Sequence, residues 1–249
     1  MSKVMLITGA GRGIGATTAK LAAQRGYAVC INYAGKKEVA ETVVADIKKA
    51  GGKAMAFQAD VSDPKAVQEM FLACDKTLGK VDVLVNNAGI VMKKSRTEDI
   101  GAERLVRMFG VNVIGSFLCA AEAVKRMSTL HGGKGGAIVN VGSVAAKFGG
   151  PGDGVDYAAA KAAIHVFTLG LGKEVAGEGI RVNAVSPALI ETSIHDDTGI
   201  KGRLEILRPG VPMQRIGKPE EVAEAILFLA SDAASYCVGA VLEITGGRC

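Results

Sequence analysis

Short runs of aliphatic and β-branched residues alternate with longer amphipathic stretches along almost the whole chain. The short runs are typical of buried strands, and they cover residues 3–7, 27–32, 53–59, 81–86, 136–141, 180–185 and 240–244. Helix signals lie between them, such as Gly26 after one amphipathic stretch and Pro64 and Pro219 at the starts of two others. This alternation predicts an α/β fold, a doubly wound parallel sheet of about seven strands with helices on both faces.

The composition agrees with such a sheet. Nearly half of the residues are hydrophobic, yet tryptophan is absent and aromatic residues make up 4%, so the core must be aliphatic, as in parallel sheets covered on both faces. No linker, repeat or change of composition divides the chain, which predicts a single domain over residues 1–249. Within it, residues 188–216 carry no strong strand signal and follow the sixth predicted strand. We expect this stretch to form a substrate-side loop with short helices.

The charge and the cysteine content reduce the number of protein classes to which the chain could belong. The net charge of +5 is mild and scattered, which argues against a nucleic-acid-binding module. Cys30, Cys74, Cys119, Cys237 and Cys249 are dispersed without metal-ligand spacing, which indicates a reducing compartment and predicts no metal site. The first three should be packing residues, and the terminal Cys249 should be inert. The N-terminal apolar run is too short for a signal peptide, and we expect no later segment of membrane-spanning length. The chain is therefore predicted to be cytoplasmic.

A glycine-rich turn, ITGAGRGIG, connects the first predicted strand to the first helix. Gly9, Gly13 and Gly15 allow a sharp turn and a close approach of a ligand to the backbone, and the helix N-terminus then faces an anion. The spacing differs from GxGxxG and from a phosphate-binding loop with Gly-Lys-Ser/Thr. The turn predicts a dinucleotide site, and the alternative is a tight turn without a ligand.

Tyr157 and Lys161 lie four residues apart in VDYAAAK and so share one face of a predicted helix. On its own the pair could be a surface feature, with the ring packed on a neighbour and the ammonium in water. The rest of the chain favours a different interpretation.

Several motifs occur in the order that is typical of one family. They are TGAGRGIG (8–15), NNAG (86–89), Asn112, Ser143, the pair Tyr157 and Lys161, and SPALIET (186–192). With these motifs the chain resembles the short-chain dehydrogenase/reductase family over essentially its whole length, which implies a Rossmann-type fold. Two features depart from the family pattern. Ala188 follows Pro187 where glycine is common, and the interval of fourteen residues from Ser143 to Tyr157 is one residue longer than usual.

The resemblance implies a role for each matching residue. Tyr157 would be the general acid in reduction and the base in oxidation, Lys161 would lower the pKa of the phenol and bind the nicotinamide ribose, and Ser143 would bind the carbonyl oxygen. Asn112 would hold a helix kink and a water molecule, and Thr192 would bind the carboxamide. The cofactor-binding residues would be Gly9, Arg12, Gly13, Ile14, Gly15, Asn32, Tyr33, Asp60, Val61, Asn87, Ala88, Gly89, Tyr157, Lys161, Pro187, Ile190 and Thr192.

The sequence favours NADP(H), with NAD(H) as the alternative. An acidic residue that binds the adenosine ribose usually ends the second strand and would repel a 2′-phosphate, but no acid occurs here before Glu38. Arg12 could pair with that phosphate. Lys36 and Lys37 are better explained as the start of a solvated helix face.

Four functions remain open from the sequence. The first is an NADP(H)-dependent oxidoreductase acting on a carbonyl or secondary alcohol of unknown identity. The chain also resembles 3-oxoacyl-acyl-carrier-protein reductases, for which Lys93, Lys94, Arg96, Arg104 and Arg107 could meet an acidic carrier, and sugar dehydrogenases, which predict a polar pocket in 144–156 and 188–210. A non-catalytic NADP sensor is the alternative of another class.

Three further predictions concern partners and histidines. Surplus apolar residues in 116–127 and 158–176 predict a homodimer or homotetramer. His131 and His165 are expected to be structural. His195, beside Asp196 and Asp197, could contact a substrate or bind a cation, but a solvated loop is the expected environment.

Overall fold

The computed structural model describes residues 2–248, and their seven strands form one parallel sheet. The strand order is β3-β2-β1-β4-β5-β6-β7, so the predicted Rossmann-type α/β sheet is confirmed. The strands are β1 (Val4–Ile7), β2 (Ala28–Tyr33), β3 (Lys53–Gln58), β4 (Val83–Asn86), β5 (Gly136–Val141), β6 (Ile180–Pro187) and β7 (Val241–Ile244). Each corresponds to a predicted run within a few residues.

Helices cover both faces of this sheet. They are α1 (Gly13–Gln24), α2 (Lys37–Lys49), α3 (Pro64–Thr77), α4 (Ala102–Phe109), α5 (Gly115–Met127), α6 (Ala145–Phe148), α7 (Val155–Val175), α8 (Arg203–Leu207) and α9 (Pro219–Ala230). A π-helical turn, Gly110–Ile114, joins α4 to α5. The 188–216 stretch contains two short 3₁₀ helices, Ser193–Thr198 and Arg208–Gly210, on either side of α8.

The period of two along each strand divides the core into two layers. In β1, Met5 and Ile7 belong to the layer under α1, α2 and α9, whereas Val4 and Leu6 belong to the layer under α3, α5 and α7. Successive side chains of a strand point to opposite faces, so each strand contributes to both layers. This arrangement explains why the strands are nearly continuous aliphatic runs instead of alternating polar and apolar residues.

Local sequence signals determine where α3 begins. Pro64 occupies the first turn, where its missing N–H is not needed, and the Asp63 carboxylate accepts a hydrogen bond from the Lys65 N–H at 2.9 Å. Asp63 is therefore the N-cap of α3.

One continuous helical stretch among the described residues, Ala102–Met127, is long and apolar enough to cross a bilayer, with a mean hydropathy of 1.4. The expectation that no segment reaches this length is therefore wrong, because α4, the π turn and α5 run on as a single helix. Of its most apolar window, 44% is buried. Cys119, Ala120 and Ala123 of α5 pack into the layer beneath them, as in a helix that covers a sheet.

The cysteines are unpaired where the structure describes them. Cys30, Cys74 and Cys119 are fully buried packing residues, as predicted, and Cys237 is partly buried. Burial raises the pKa of Cys119 to about 12, so this thiol stays protonated and unreactive at neutral pH. Cys249 lies outside the described residues.

Candidate active site

The order of strands reverses direction between β1 and β4, and the glycine turn lies at this point. Gly15 comes so close to its neighbours that an added Cβ would lie 2.5 Å from the Asn87 amide nitrogen. That nitrogen donates to the carbonyl oxygens of Thr8 and Gly9 at 2.8 and 3.1 Å. The segment after β4 thus holds the turn that follows β1 in place. In open α/β sheets, ligands bind in the crevice at such a switch point.

A cavity of about 550 Å³ opens at this crevice and extends along the carboxyl ends of the strands. Positive charge prevails in its lining. The cations are Arg12, Arg104, Arg107, Lys161, Arg203 and Arg248, and the carboxylates are Asp60, Asp153 and Asp156. Together with the helix N-terminus behind the glycine turn, this excess of positive charge suits a ligand with several phosphates. The chemistry of the lining therefore fits a dinucleotide.

Tyr157, Lys161 and Ser143 lie along one wall of the cavity. Tyr157 and Lys161 are one turn apart on α7, and Ser143 follows β5. The Lys161 ammonium is buried, donates to the Val141 carbonyl oxygen at 2.8 Å and lies 5.8 Å from the centroid of the Tyr157 ring. Burial lowers the pKa of Lys161 to about 8. This wall thus combines a hydroxyl, a phenol and an amine, all able to donate hydrogen bonds into the cavity.

The pKa of Tyr157 differs from the prediction. Burial raises it above its ordinary value, and a hydrogen bond with Ser143 and the positive charge of Arg203 oppose that rise without overcoming it. Lys161 does not contribute to the shift. Its ammonium is directed to the Val141 carbonyl beneath the ring and is itself only weakly basic. The prediction that the phenol pKa lies below its ordinary value is therefore wrong, because burial outweighs the groups that lower it.

Asn112 lies in the π-helical turn between α4 and α5 and is buried. Its side-chain oxygen accepts from the Ile90 N–H at 3.1 Å, and its amide nitrogen donates to the carbonyl oxygens of Ile90 and Met108 at 3.0 and 3.1 Å. An irregular helix turn occurs at the predicted position, and the asparagine ties it to the segment after β4. Asn112 lies behind the lining residues of the cavity and is not one of them.

The end of β2 differs from the prediction in one residue. Asn32 lines the cavity, accepts from the Gly9 N–H at 3.1 Å and donates to the Ala59 carbonyl oxygen at 2.9 Å. Tyr33 instead turns into the core layer under α1 and α2, because successive residues of a strand face opposite ways. The exposed Ala34 reaches the cavity in its place. Its small side chain leaves room beside Asn32.

Asp60 and Arg12 both lie at the cavity and both have ionic partners. The Asp60 carboxylate accepts from Ser62 at 2.7 Å and from the Arg107 guanidinium at 2.7 Å. Burial raises its pKa, but these hydrogen bonds outweigh that effect and hold the pKa below its ordinary value. Arg12 extends from the glycine turn to the 3₁₀ helix 193–198, where it donates to Ser193 at 2.8 Å and pairs with Asp197 at 3.1 Å.

Most of the predicted site residues line this one cavity. They are Gly9, Arg12, Gly13, Ile14, Asn32, Asp60, Val61, Asn87, Ala88, Gly89, Ser143, Tyr157, Lys161, Pro187, Ile190 and Thr192. Gly15, Tyr33 and Asn112 are not among the lining residues, for the reasons given above. Residues some 180 positions apart in the chain meet here, such as Gly13 and Thr192, where an added Cβ on the glycine would lie 3.2 Å from the threonine methyl.

The sequence did not predict Asp153 and Arg203 as site residues, and it did not favour a place for His195 in the site. Asp153 and Arg203 form a bidentate ion pair across the cavity mouth, with one contact at 2.9 Å. His195 lines the cavity, with its Nε2 3.0 Å from the Ile190 carbonyl oxygen, so the expectation of a solvated loop is wrong. Burial lowers the pKa of His195. The only available signal was that Asp153 and Arg203 lie in the two segments expected to form a polar pocket.

Comparisons with known proteins agree over the whole length of the chain. A family model described as enoyl-(acyl carrier protein) reductase matches residues 9–248. The oxidoreductase YgfF of Escherichia coli (strain K12) is 49% identical, over 98% of this chain and 99% of its own. A 3-oxoacyl-[acyl-carrier-protein] reductase of Synechocystis sp. is 39% identical, over 99% and 96%. The crystal structure of a 3-ketoacyl-(acyl-carrier-protein) reductase from Brucella melitensis, complexed with NADH, is similar with a TM-score of 0.90 and 36% identity, over 99% and 98%.

Proposed function

The chain belongs to the short-chain dehydrogenase/reductase family, and we propose that it transfers a hydride between NADP(H) and a small polar carbonyl compound or the corresponding secondary alcohol. The family makes it an NAD(P)-dependent oxidoreductase. The observation that carries the finer proposal is the convergence of Ser143, Tyr157 and Lys161 on one wall of a cavity that begins at the glycine turn. The unpaired cysteines of the described chain support a cytoplasmic location.

Each side chain of the wall has a distinct part in this chemistry. When bound, the reduced nicotinamide supplies a hydride with its electron pair to the carbonyl carbon. Ser143 donates a hydrogen bond to the carbonyl oxygen, and Tyr157 gives that oxygen its proton, so that the product is the neutral alcohol. Lys161 binds the nicotinamide ribose, where a ligand would raise its lowered pKa by accepting its hydrogen bonds. In oxidation the same groups act in reverse, with the phenolate as base.

Asn112 has a supporting part. Its amide holds the segment after β4 against the π turn, and an added Cβ on Gly89 would lie 2.9 Å from its oxygen and 3.5 Å from the Lys161 ammonium. We assign Asn112 to positioning this segment beside Lys161.

NADP(H) is preferred in this proposal because no carboxylate occupies the end of β2. Asn32 and Ala34 line the cavity there, and neither would repel a 2′-phosphate. Arg12 is the nearby cation, and it would have to leave Asp197 to bind the phosphate. Titration of both cofactors tests this preference, and Arg12→Ala should weaken NADP(H) binding more than NAD(H) binding. The exposed Arg25, paired with Glu224, provides the control Arg25→Ala. Equal or tighter binding of NAD(H) would refute the preference.

The geometry of the mouth favours a small polar substrate over a carrier-bound acyl chain. Of the five basic residues considered for an acidic carrier, Arg96, Arg104 and Arg107 are paired with Glu98, Asp156 and Asp60. In the Arg104–Asp156 pair the carboxylate is fully buried and the arginine is 17% exposed, so little of this pair is available to a protein partner. By contrast, Asp153, His195, Thr198 and Arg203 give the two predicted pocket segments a polar lining.

The decisive experiment is NADPH oxidation against a panel of small ketones, oxo acids, aldoses, quinones and acetoacetyl thioesters. Tyr157→Phe removes only the hydroxyl, so turnover should fall by roughly 10²- to 10⁴-fold, the usual contribution of a positioned acid, while NADPH binding is retained. Near-normal turnover by this variant would exclude Tyr157 as the acid. Tight NADPH binding without turnover of any compound in the panel would instead favour the sensor.

A further inference from the structure

Arg203 is placed unusually for an arginine at the mouth of a cavity. Its side chain is only 17% exposed, although it lies on the short helix α8 in the loop region between β6 and α9. Its two terminal nitrogens bind the Asp153 carboxylate, with Nη1 2.9 Å from Oδ1. Its Nε is buried and has no hydrogen-bond acceptor among the described residues. The guanidinium therefore keeps one edge without a partner inside the protein.

The position of Arg203 relates this residue to the reaction. Arg203 and Tyr157 line the same cavity, and the guanidinium is near enough for its positive charge to act on the phenol and on His195. One small molecule bound in this cavity could therefore contact both Arg203 and Tyr157. Arg248 lines the cavity as a second cation on this side, and its guanidinium is held by the Leu207 carbonyl oxygen at 3.0 Å.

Asp153 is the more exposed residue of this ion pair. It is 37% exposed and lies in a loop in which Gly149, Gly150 and Gly152 have φ of +72°, +60° and +65°. These glycines adopt left-handed backbone conformations that other residues rarely take. The Nε edge of the guanidinium is enclosed by the protein, so a ligand carboxylate would bind the terminal nitrogens in place of Asp153. A largely buried arginine with a more exposed partner in a loop suits a ligand anion that displaces Asp153 from the guanidinium.

We propose that Arg203 is a specificity-determining residue that selects substrates carrying a carboxylate a few bonds from the reacting carbonyl, as in short oxo acids. This inference rests on the proposed oxidoreductase function and adds the substrate class. Asp153 acts as an internal competitor that occupies part of the guanidinium when no acid is bound. Neutral ketones and sugars use the same Ser143 and Tyr157 but gain nothing from Arg203.

Matched substrate pairs test the proposal. Acetoacetate and 4-oxopentanoate are compared with their methyl esters in NADPH oxidation, and kcat/KM is measured for each. The protein should prefer each acid by roughly 10- to 100-fold, the range expected for a hydrogen-bonded charge pair. Arg203→Met should abolish this preference, so that the acid and the ester of each pair have similar kcat/KM. The control Arg208→Met, at an exposed arginine paired with Glu205, should change neither ratio.

A second variant distinguishes binding of the substrate carboxylate by Arg203 from a purely structural role of the Asp153–Arg203 ion pair. Asp153→Asn breaks the same ion pair but frees Arg203, so the preference for the acid should increase. If the pair only held the two loops together, both variants would alter acid and ester alike, and the proposal would be wrong. A preference for esters or aldoses over oxo acids would also overturn it.

Binding measurements test carboxylate recognition by Arg203 without requiring the reaction to occur. Acetoacetate is titrated calorimetrically into the protein with saturating NADP⁺, a combination that cannot react because the cofactor is already oxidised. Binding should be lost in Arg203→Met and strengthened in Asp153→Asn, with methyl acetoacetate as the neutral comparison. If the affinity for acetoacetate is the same in both variants as in the wild-type protein, the inference is wrong. Absence of turnover for every carbonyl compound, with Arg203-dependent binding of the acid intact, contradicts the proposed oxidation–reduction function instead.

Discussion

Tyr157 is a weaker acid in this structure than a free phenol, because burial raises its pKa more than Ser143 and Arg203 lower it. The protonated form, which reduction requires, therefore prevails at neutral pH. Oxidation of an alcohol requires the phenolate, so its kcat/KM should rise with pH and still be rising at about pH 10, the ordinary phenol pKa. Reduction should change little between about pH 6 and 8. Profiles in both directions check this, and an oxidation plateau below about pH 9 would contradict it.

Lys161 is the residue at which function and stability conflict most directly. Its pKa falls from 10.5 to about 8 on burial, which corresponds to a cost of about 3 kcal/mol for holding the charge in the fold at neutral pH. Between these two values the unfolded chain binds the extra proton, so the stability of the unliganded protein should rise with pH across that interval.

The variant Lys161→Met should therefore stabilise the unliganded protein at pH 7. We expect a gain of roughly 2 kcal/mol, less than the full cost because the Val141 carbonyl loses its donor. NADPH affinity should fall at the same time, since a ribose contact is removed. Urea denaturation and cofactor titration measure the two effects. Lys173→Met on the exposed side of the same helix should stay within about 0.5 kcal/mol, and a destabilised Lys161→Met would contradict the argument.

At the scale of elements, the glycine turn between β1 and α1 depends on close backbone approach at some glycines and not at others. A Cβ on Gly15 would lie 2.5 Å from the Asn87 amide and 2.9 Å from the Cα of Ala10, whereas a Cβ on Gly11 would meet nothing closer than 3.8 Å. Gly15→Ala should cost about 2 kcal/mol or more of stability through strain, and Gly11→Ala should be nearly neutral. Thermal unfolding of both variants compares them directly. Equal effects would show that the turn can shift to accommodate a methyl group.

The sequence predicted the strands and helices more accurately than the side-chain contacts between them. Strands and helices follow from periods of two and 3.6 residues and from signals such as Pro64, which act locally. The motifs placed Ser143, Tyr157 and Lys161 together through a resemblance. The pairing of Asp153 with Arg203, by contrast, joins side chains fifty positions apart, and no local rule specifies it. The pKa of Tyr157 was misjudged for the same reason, since it depends on burial and on where Lys161 points.

At the scale of the whole molecule, the layer of α5 and α7 leaves apolar side chains facing outward. Val166 on α7 is 71% exposed and Phe117 on α5 is 48% exposed, and Leu169 on α7 and Ile114 in the π turn before α5 are also exposed. The ring of Phe117 stacks on Phe167 with centroids 3.8 Å apart, which joins the two helices into one surface. We expect a second copy of the chain to cover this surface, because a cluster of large exposed apolar residues usually marks an interface.

A charge placed in the centre of this surface tests the homo-oligomer. Val166→Glu would bury a carboxylate without a partner in the assembly, so the mass measured by light scattering should drop from that of a dimer or tetramer to that of a 25.6 kDa monomer. Leu72→Glu, at a site on α3 that is also exposed, should leave the mass unchanged. Circular dichroism should show that both variants keep their helices, since neither side chain is buried in the chain itself. A monomeric wild-type protein at working concentration, or equal behaviour of the two variants, would refute an interface through α5 and α7.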